Sequence, residues 1–194
     1  FSPLALYGAG RVAIADVQLP VIRTDGLGTI SYDLVITASQ AEKVWDAFVQ
    51  TGAVAVGEEA LEMIRVEQGV PRYGREIGEE FNPLEAGLHS SISYDKGCYI
   101  GQEVVLRLNT YKKVQKHLMG ITFENDRPAT DSRLEIEGND AGFLTSVVDS
   151  RVLGHTLALG YVKSSFAKAG QEVDARAGDR VIRGRVVELP VRKA

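Results

Sequence analysis

The sequence predicts an α+β protein: a mixed sheet-and-helix body over residues 1–113, then a small antiparallel β-barrel over residues 114–194. Three observations carry this. Two β-branched segments flank a glycine turn near the start. Apolar residues at helical spacing come next. From His117 onward the chain offers only short β-type segments closed by Gly, Asn or Asp. Apolar residues make up 44% and charged residues 25%, which suits a soluble chain with a real core.

The first element is a hairpin. Val17–Thr24 and residues 30–37 flank Asp25-Gly26-Leu27-Gly28, whose glycines supply the positive φ that a tight turn needs. A helix is expected next, with Ser39 and Glu42 as a capping box and Ala41, Val44, Trp45, Phe48 and Val49 on its inner face. Gly52 stops it. A second helix is expected over residues 58–67, with acidic residues in its first turn. Asn82-Pro83 reads as an N-cap and first helical position opening a short helix over residues 84–88. The charged bridge 111–116, "YKKVQK", separates this body from six strands, over residues 118–123, 133–137, 143–149, 156–162, 172–175 and 180–189. Six such strands with turns between them predict a small barrel.

Several function classes fall away. No run of eighteen apolar residues exists, so no transmembrane helix is expected. The chain opens on Phe1 without a basic n-region, so no secretory signal is read, and the missing initiator Met suggests a preceding segment. A single cysteine makes no internal disulfide, which fits a reducing compartment such as the cytoplasm, and it removes any all-thiolate metal site. Residues 151–194 carry nine Lys/Arg against four Asp/Glu while the rest of the chain is acidic, so the barrel could favour an anionic partner. No aromatics interleave those cations, which favours a solvated face instead.

Gly8-Ala9-Gly10-Arg11-Val12-Ala13, with Asp33 downstream, matches a loose dinucleotide fingerprint. The fingerprint needs a crossover helix, and Pro20 and the Asp25–Gly28 hairpin occupy that space. In Arg65-Val66-Glu67-Gln68-Gly69, a helix-end carboxylate beside a glycine can accept paired N–H donors from an amino-pyrimidine or pterin ring. The plainer alternative is a surface pair of Glu67 with Arg65 or Arg72. In Lys96-Gly97-Cys98-Tyr99-Ile100-Gly101-Gln102-Glu103, Lys96 and a helix beginning near Gly101 would favour a thiolate at Cys98, with Gly97 and Gly101 allowing close approach. A packed, inert thiol is the competing reading. His89 and His117 could reach Cys98 only through folding. His155, Phe143, Tyr161 and Phe166 read as core and surface residues of the barrel.

Together, "RVEQGVPRYGREI", "NPLEAGL" and "KGCYIGQEVVLR", followed by "GFLTSVVDS", "LALGYVK" and "RVVELPV", resemble the YgfZ-type folate-binding proteins. These are relatives of the glycine-cleavage T-protein (aminomethyltransferase). The resemblance runs from Leu4 to Val191 and implies a tetrahydrofolate-binding body ahead of the barrel. It implies Glu67 as the folate-reading carboxylate, Tyr32 near the folate ring, and Arg107, Tyr99 and Gln102 as further contacts. Cys98 with Lys96 would be the functional thiol, set in the motif glycines Gly97 and Gly101 and Glu103. The implied role is service to iron–sulfur enzymes, including those acting in tRNA thiolation, with iron–sulfur client enzymes as partners and a possible tRNA link through the barrel. The resemblance leaves two rivals. One is a folate-dependent aminomethyltransferase or demethylase of the T-protein type, whose catalytic aspartate lies in an earlier region. The other is a folate module that serves only as a docking surface.

Overall fold

The computed structural model describes residues 4–25, 27–111 and 114–191. The chain forms two compact units, Phe1–Ile64 and Arg65–Ala194. The expected boundary at residues 113 and 114 falls beside Lys112 and Lys113, which lie outside the described residues, as does Gly26 of the hairpin turn.

In the first unit, β1 (Ala9–Ile14), β2 (Val17–Thr24) and β3 (Ser31–Leu34) form an antiparallel sheet in that order. Ala15 and Asp16, both at positive φ (48° and 62°), make the two-residue turn joining β1 to β2. The glycine pair therefore belongs to a hairpin arm, and no crossover helix follows it. Strand alternation turns Val17, Leu19 and Val21 inward. Helix α1 (Ala38–Gln50) sets Val44 against Val17 and Leu19, with Val12, Ile14, Leu34, Ile36 and Phe48 around them. Two expectations shift here. β3 is shorter than foreseen because the chain leaves the sheet after Leu34 to place Ile36 in this core. The N-cap position is Thr37 rather than Ser39, with no side-chain cap bond, and Ser39 lies inside the helix, so no Ser39–Glu42 capping box forms. Gly52, at φ 87°, ends the helix as its sequence position foretold.

Helix α2 (Glu58–Gln68) carries Glu58 and Glu59 in its first turn. In the second unit its last turn leads into an irregular stretch and then α3 (Gln102–Tyr111). The short helix expected over residues 84–88 is a single turn. Asn82 Oδ1 accepts the Leu84 N–H at 2.9 Å as an N-cap does, but the chain turns left-handed at Gly87 (φ 75°) before a second turn can form.

Strands β4 (Lys116–Phe123), β5 (Arg133–Ile136), β6 (Asn139–Asp149), β7 (Thr156–Lys163), β8 (Glu172–Ala177) and β9 (Arg180–Val187) close into a barrel, all pairs antiparallel, in the order β4-β7-β6-β5-β8-β9. Ile121, Phe123, Leu134, Leu144, Ala158, Val162, Val173, Ile182 and Val186 fill it, and Phe166 packs against them. Closure leaves no unpaired edge, which is how so small a sheet escapes edge pairing. β7 is buried on both faces. On its outer face Tyr161 stacks on Phe81, with ring centroids 4.6 Å apart, and donates its hydroxyl to the Glu76 carbonyl at 2.7 Å.

Candidate functional site

Among the described residues of the second unit, Glu67 and Glu76 are buried carboxylates, and their partners give them different capacities. Glu76 is saturated. Its Oε2 accepts from Arg65 Nη1 at 3.1 Å and from the Arg72 N–H at 3.0 Å. Its Oε1 accepts from Thr145 Oγ1 and Ser146 Oγ, each at 2.7 Å. Two consecutive residues of β6 can face the same carboxylate because a bulge interrupts the β6–β7 register between Leu144 and Ser146.

Glu67, in the last turn of α2, is also buried, but it is held through one oxygen. Its Oε1 accepts from Ser150 Oγ at 2.6 Å and from the Val152 N–H at 3.1 Å. Ser150 Oγ accepts the Leu153 N–H at 3.1 Å, so the turn after β6 is wrapped onto this carboxylate. The Glu67 carbonyl accepts the Val191 N–H at 2.9 Å. The surface pair with Arg65 or Arg72 does not form, because Arg65 is committed to Glu76, Val70 and Ser146. Gly69 does provide a close approach, but to the chain's own Leu189. A Cβ on Gly69 would sit 2.7 Å from the Leu189 Cβ, and its φ is 71°. Beside this turn lies an open cleft of about 460 Å³ lined by Leu153, Val187, Glu188, Leu189, Pro190 and Val191.

Cys98 lies exposed in the loop that precedes α3, so the packed-thiol reading fails. Lys96 directs its ammonium over the Tyr99 ring, 4.8 Å from the centroid. Gly101 (φ 87°) turns the chain into α3 immediately afterwards, as the sequence suggested, and the Gln102 N–H donates to the Tyr99 carbonyl at 3.2 Å. Glu103 and Arg107 form an exposed pair at 2.7 Å one helical turn apart, so the Arg107 charge already has a partner. Tyr32 lies in the other unit, on β3, in register with Arg23 of β2. Among the described residues, no group of His, Cys, Asp and Glu could hold a metal ion.

Most of the described basic residues of the barrel face acids. Arg127 meets Asp149, Lys163 meets Asp140, Arg176 meets Glu135 and Arg180 meets Asp126, at 2.6–3.0 Å. Arg183 and Arg185 face Asp174 and Glu172 at longer range. The Lys163 ammonium beside Asp140 holds that carboxyl below the usual carboxylate range. Burial, and then the nearby carboxylates of Glu85 and Glu76, push the Tyr161 phenol far above the ordinary tyrosine range.

Sequence reasoning missed Glu76, Thr145, Ser146 and Ser150. The bonds that recruit them span 69 to 83 residues, beyond the reach of any local pattern.

An α+β body with a closed six-stranded barrel and a barrel-clamped carboxylate defines a class of fold that known proteins share. Residues 2–96 match the family described as "GCVT N-terminal domain", and residues 116–193 match "Glycine cleavage T-protein C-terminal barrel domain". The chain belongs to the glycine-cleavage T-protein family. An aminomethyltransferase of Herpetosiphon aurantiacus is 30% identical over 98% of this chain and 53% of its own length. A chloroplastic protein of Arabidopsis thaliana, named as a transferase, is 35% identical over 86% of this chain and 39% of its own length. The crystal structure of glycine cleavage system aminomethyltransferase T from Bartonella henselae superposes with a TM-score of 0.84 at 20% identity. It covers 100% of this chain and 54% of that one, and it attests the fold. The chain thus spans about half the length of the aminomethyltransferases it matches.

Proposed function

We propose that this chain binds tetrahydrofolate and takes part in one-carbon transfer of the aminomethyltransferase type. The observation that carries the reading is the asymmetric engagement of Glu67. Two donors fix Oε1, which immobilises the carboxylate plane and leaves Oε2 directed to a ligand. A buried acceptor oxygen of fixed orientation is suited to an N–H group of a reduced pterin, and it penalises rings that lack one. When bound, tetrahydrofolate supplies a nucleophilic ring nitrogen that accepts the one-carbon unit. The chain's own share is to bind and orient that ring through Glu67, with Gln102, Tyr99 and Arg107 as outer contacts. Relatives named aminomethyltransferase support this reading.

A second reading, service to iron–sulfur enzymes with Cys98 as the functional thiol, is favoured by the exposure of Cys98 beside Lys96 and Tyr99. Its partners would be iron–sulfur client enzymes, with tRNA thiolation downstream, in the cytoplasm. One pair of variants separates the two. Glu67→Gln keeps the shape but offers an amide, and it is expected to weaken tetrahydrofolate binding by about ten- to a hundredfold in calorimetry. Cys98→Ser is expected to leave both that affinity and the transfer of a methylene group from a methylamine donor unchanged. Loss of iron–sulfur client activity in Cys98→Ser, with folate binding intact, would establish the second reading over the first.

A further inference from the structure

We propose that Arg23, flanked by Tyr7 and Tyr32, forms a carboxylate subsite at one end of the first unit's sheet. Among the described residues, Arg23 Nε is the buried side-chain polar atom without a hydrogen-bond partner. The rest of the guanidinium is anchored, since Nη1 donates to the Leu4 carbonyl at 2.7 Å. That anchor uses one corner of the fork. The opposite edge, Nε with Nη2, is the edge that binds a carboxylate through two parallel hydrogen bonds.

A buried guanidinium N–H with no acceptor destabilises the fold that contains it, so native chains keep few of them without a use. The surroundings carry a second, independent cost. Tyr7 adopts a left-handed conformation, φ 59°, which a bulky L-residue rarely takes. Its N–H donates to the Arg23 carbonyl at 2.9 Å, and its hydroxyl donates to Asp25 Oδ1 at 3.1 Å, so the strained residue is tied to the arginine strand from both sides. Strained backbone gathers at ligand sites because surrounding contacts over-determine it there. Arg23 and Tyr32 are register partners, and alternation puts them on the sheet face shared by Val21 and Leu34. They sit at the other end of β2 from Val17, where α1 covers the sheet. No carboxylate among the described residues pairs with Arg23.

The ligand this geometry suits is a carboxylate attached to a planar ring: the carboxylate engages the guanidinium edge and the ring lies beside tyrosine. p-Aminobenzoyl-glutamate carries such a carboxylate and ring. A free dicarboxylate shares the chemistry, so the test distinguishes the two sources.

The experiment follows the arginine Nε–H signals of the whole 194-residue chain by proton–nitrogen NMR, with Arg23 identified from its absence in Arg23→Lys. The chain is titrated with glutarate, p-aminobenzoyl-glutamate, 5-formyltetrahydrofolate and tail-less 6-methyltetrahydropterin. The Arg23 signal is expected to move with the first three and to stay in place with the last. Arg23→Lys, which keeps the charge but loses the fork, is expected to weaken p-aminobenzoyl-glutamate about tenfold or more. An Arg23 signal that stays fixed at saturating p-aminobenzoyl-glutamate overturns the subsite, as does a shift driven by the tail-less pterin. Folate binding with Arg23 unmoved rejects the subsite and keeps the folate reading. Glutarate and p-aminobenzoyl-glutamate shifting Arg23, with no 5-formyltetrahydrofolate bound, does the reverse.

Discussion

Glu76 takes four hydrogen bonds and Glu67 takes two on a single oxygen, and this difference assigns them different work. A carboxylate whose every direction is filled is a structural tie, and removing one partner of such a buried pair typically costs about 3–5 kcal/mol. One held by one oxygen is both oriented and receptive. Tyr161 belongs to the same structural layer and leads to a pH prediction. Its folded phenol ionises well above the unfolded value of 10.0, so the unfolded chain releases that proton first as pH rises. Its contribution is therefore complete below about pH 10 and is lost above it. Denaturant titrations of the wild type and Tyr161→Phe should show the wild type losing stability more steeply above about pH 10, with the variant about 1 kcal/mol less stable at neutral pH from the lost bond to Glu76. Parallel curves would refute this account.

At the scale of elements, the end of α2 is the hub. Its last turn holds Arg65 and Glu67, and Gly69 ends it by letting the backbone pass under Leu189. Both the φ of 71° and the 2.7 Å approach forbid a side chain there. Gly69→Ala is expected to destabilise by about 1–3 kcal/mol, and to loosen the Val191 tie to the Glu67 carbonyl. Hydrogen exchange at Val191 is the direct readout, and unchanged protection would count against the clamp. The bulge in β6 is the matching device on the barrel, since an unbroken strand would send Thr145 and Ser146 to opposite faces.

For the whole chain, the relevant quantity is how charge is distributed. The count of basic residues in the last part of the sequence suggested an anionic partner, but acids answer several of them: those of β6, β5 and the segment before β5 meet Lys163, Arg176 and Arg180, and those of β8 face Arg183 and Arg185. Each cation paired in this way is less able to release counterions from a nucleic acid. Binding of tRNA should accordingly be weak and show a shallow slope of log affinity against log salt. A steep slope in filter binding would mean that these pairs open on RNA and would restore the tRNA link.

What could be read without coordinates was local. Short β-type segments closed by Gly, Asn or Asp turns placed the six barrel strands within a few residues, because those residues supply the tight turns between strands. The hairpin, both long helices and the start of α3 after Gly101 were also legible, as was the misfit of the dinucleotide fingerprint. The cap moved to Thr37 and the turn at residues 83–87 failed to become a helix, since helix ends are decided by a few competing hydrogen bonds. Motif resemblance pointed to Glu67 and Cys98, but spacing alone could not say whether either was buried. The tertiary structure decided that Cys98 is exposed and that Glu67 is clamped by Ser150 and Val152. It also decided that Arg23 keeps an unanswered N–H. These outcomes depend on partners brought together from far along the chain, or missing once every neighbour is in place. Sequence periodicity reports which face of an element is buried, and only the closed fold determines what meets it there.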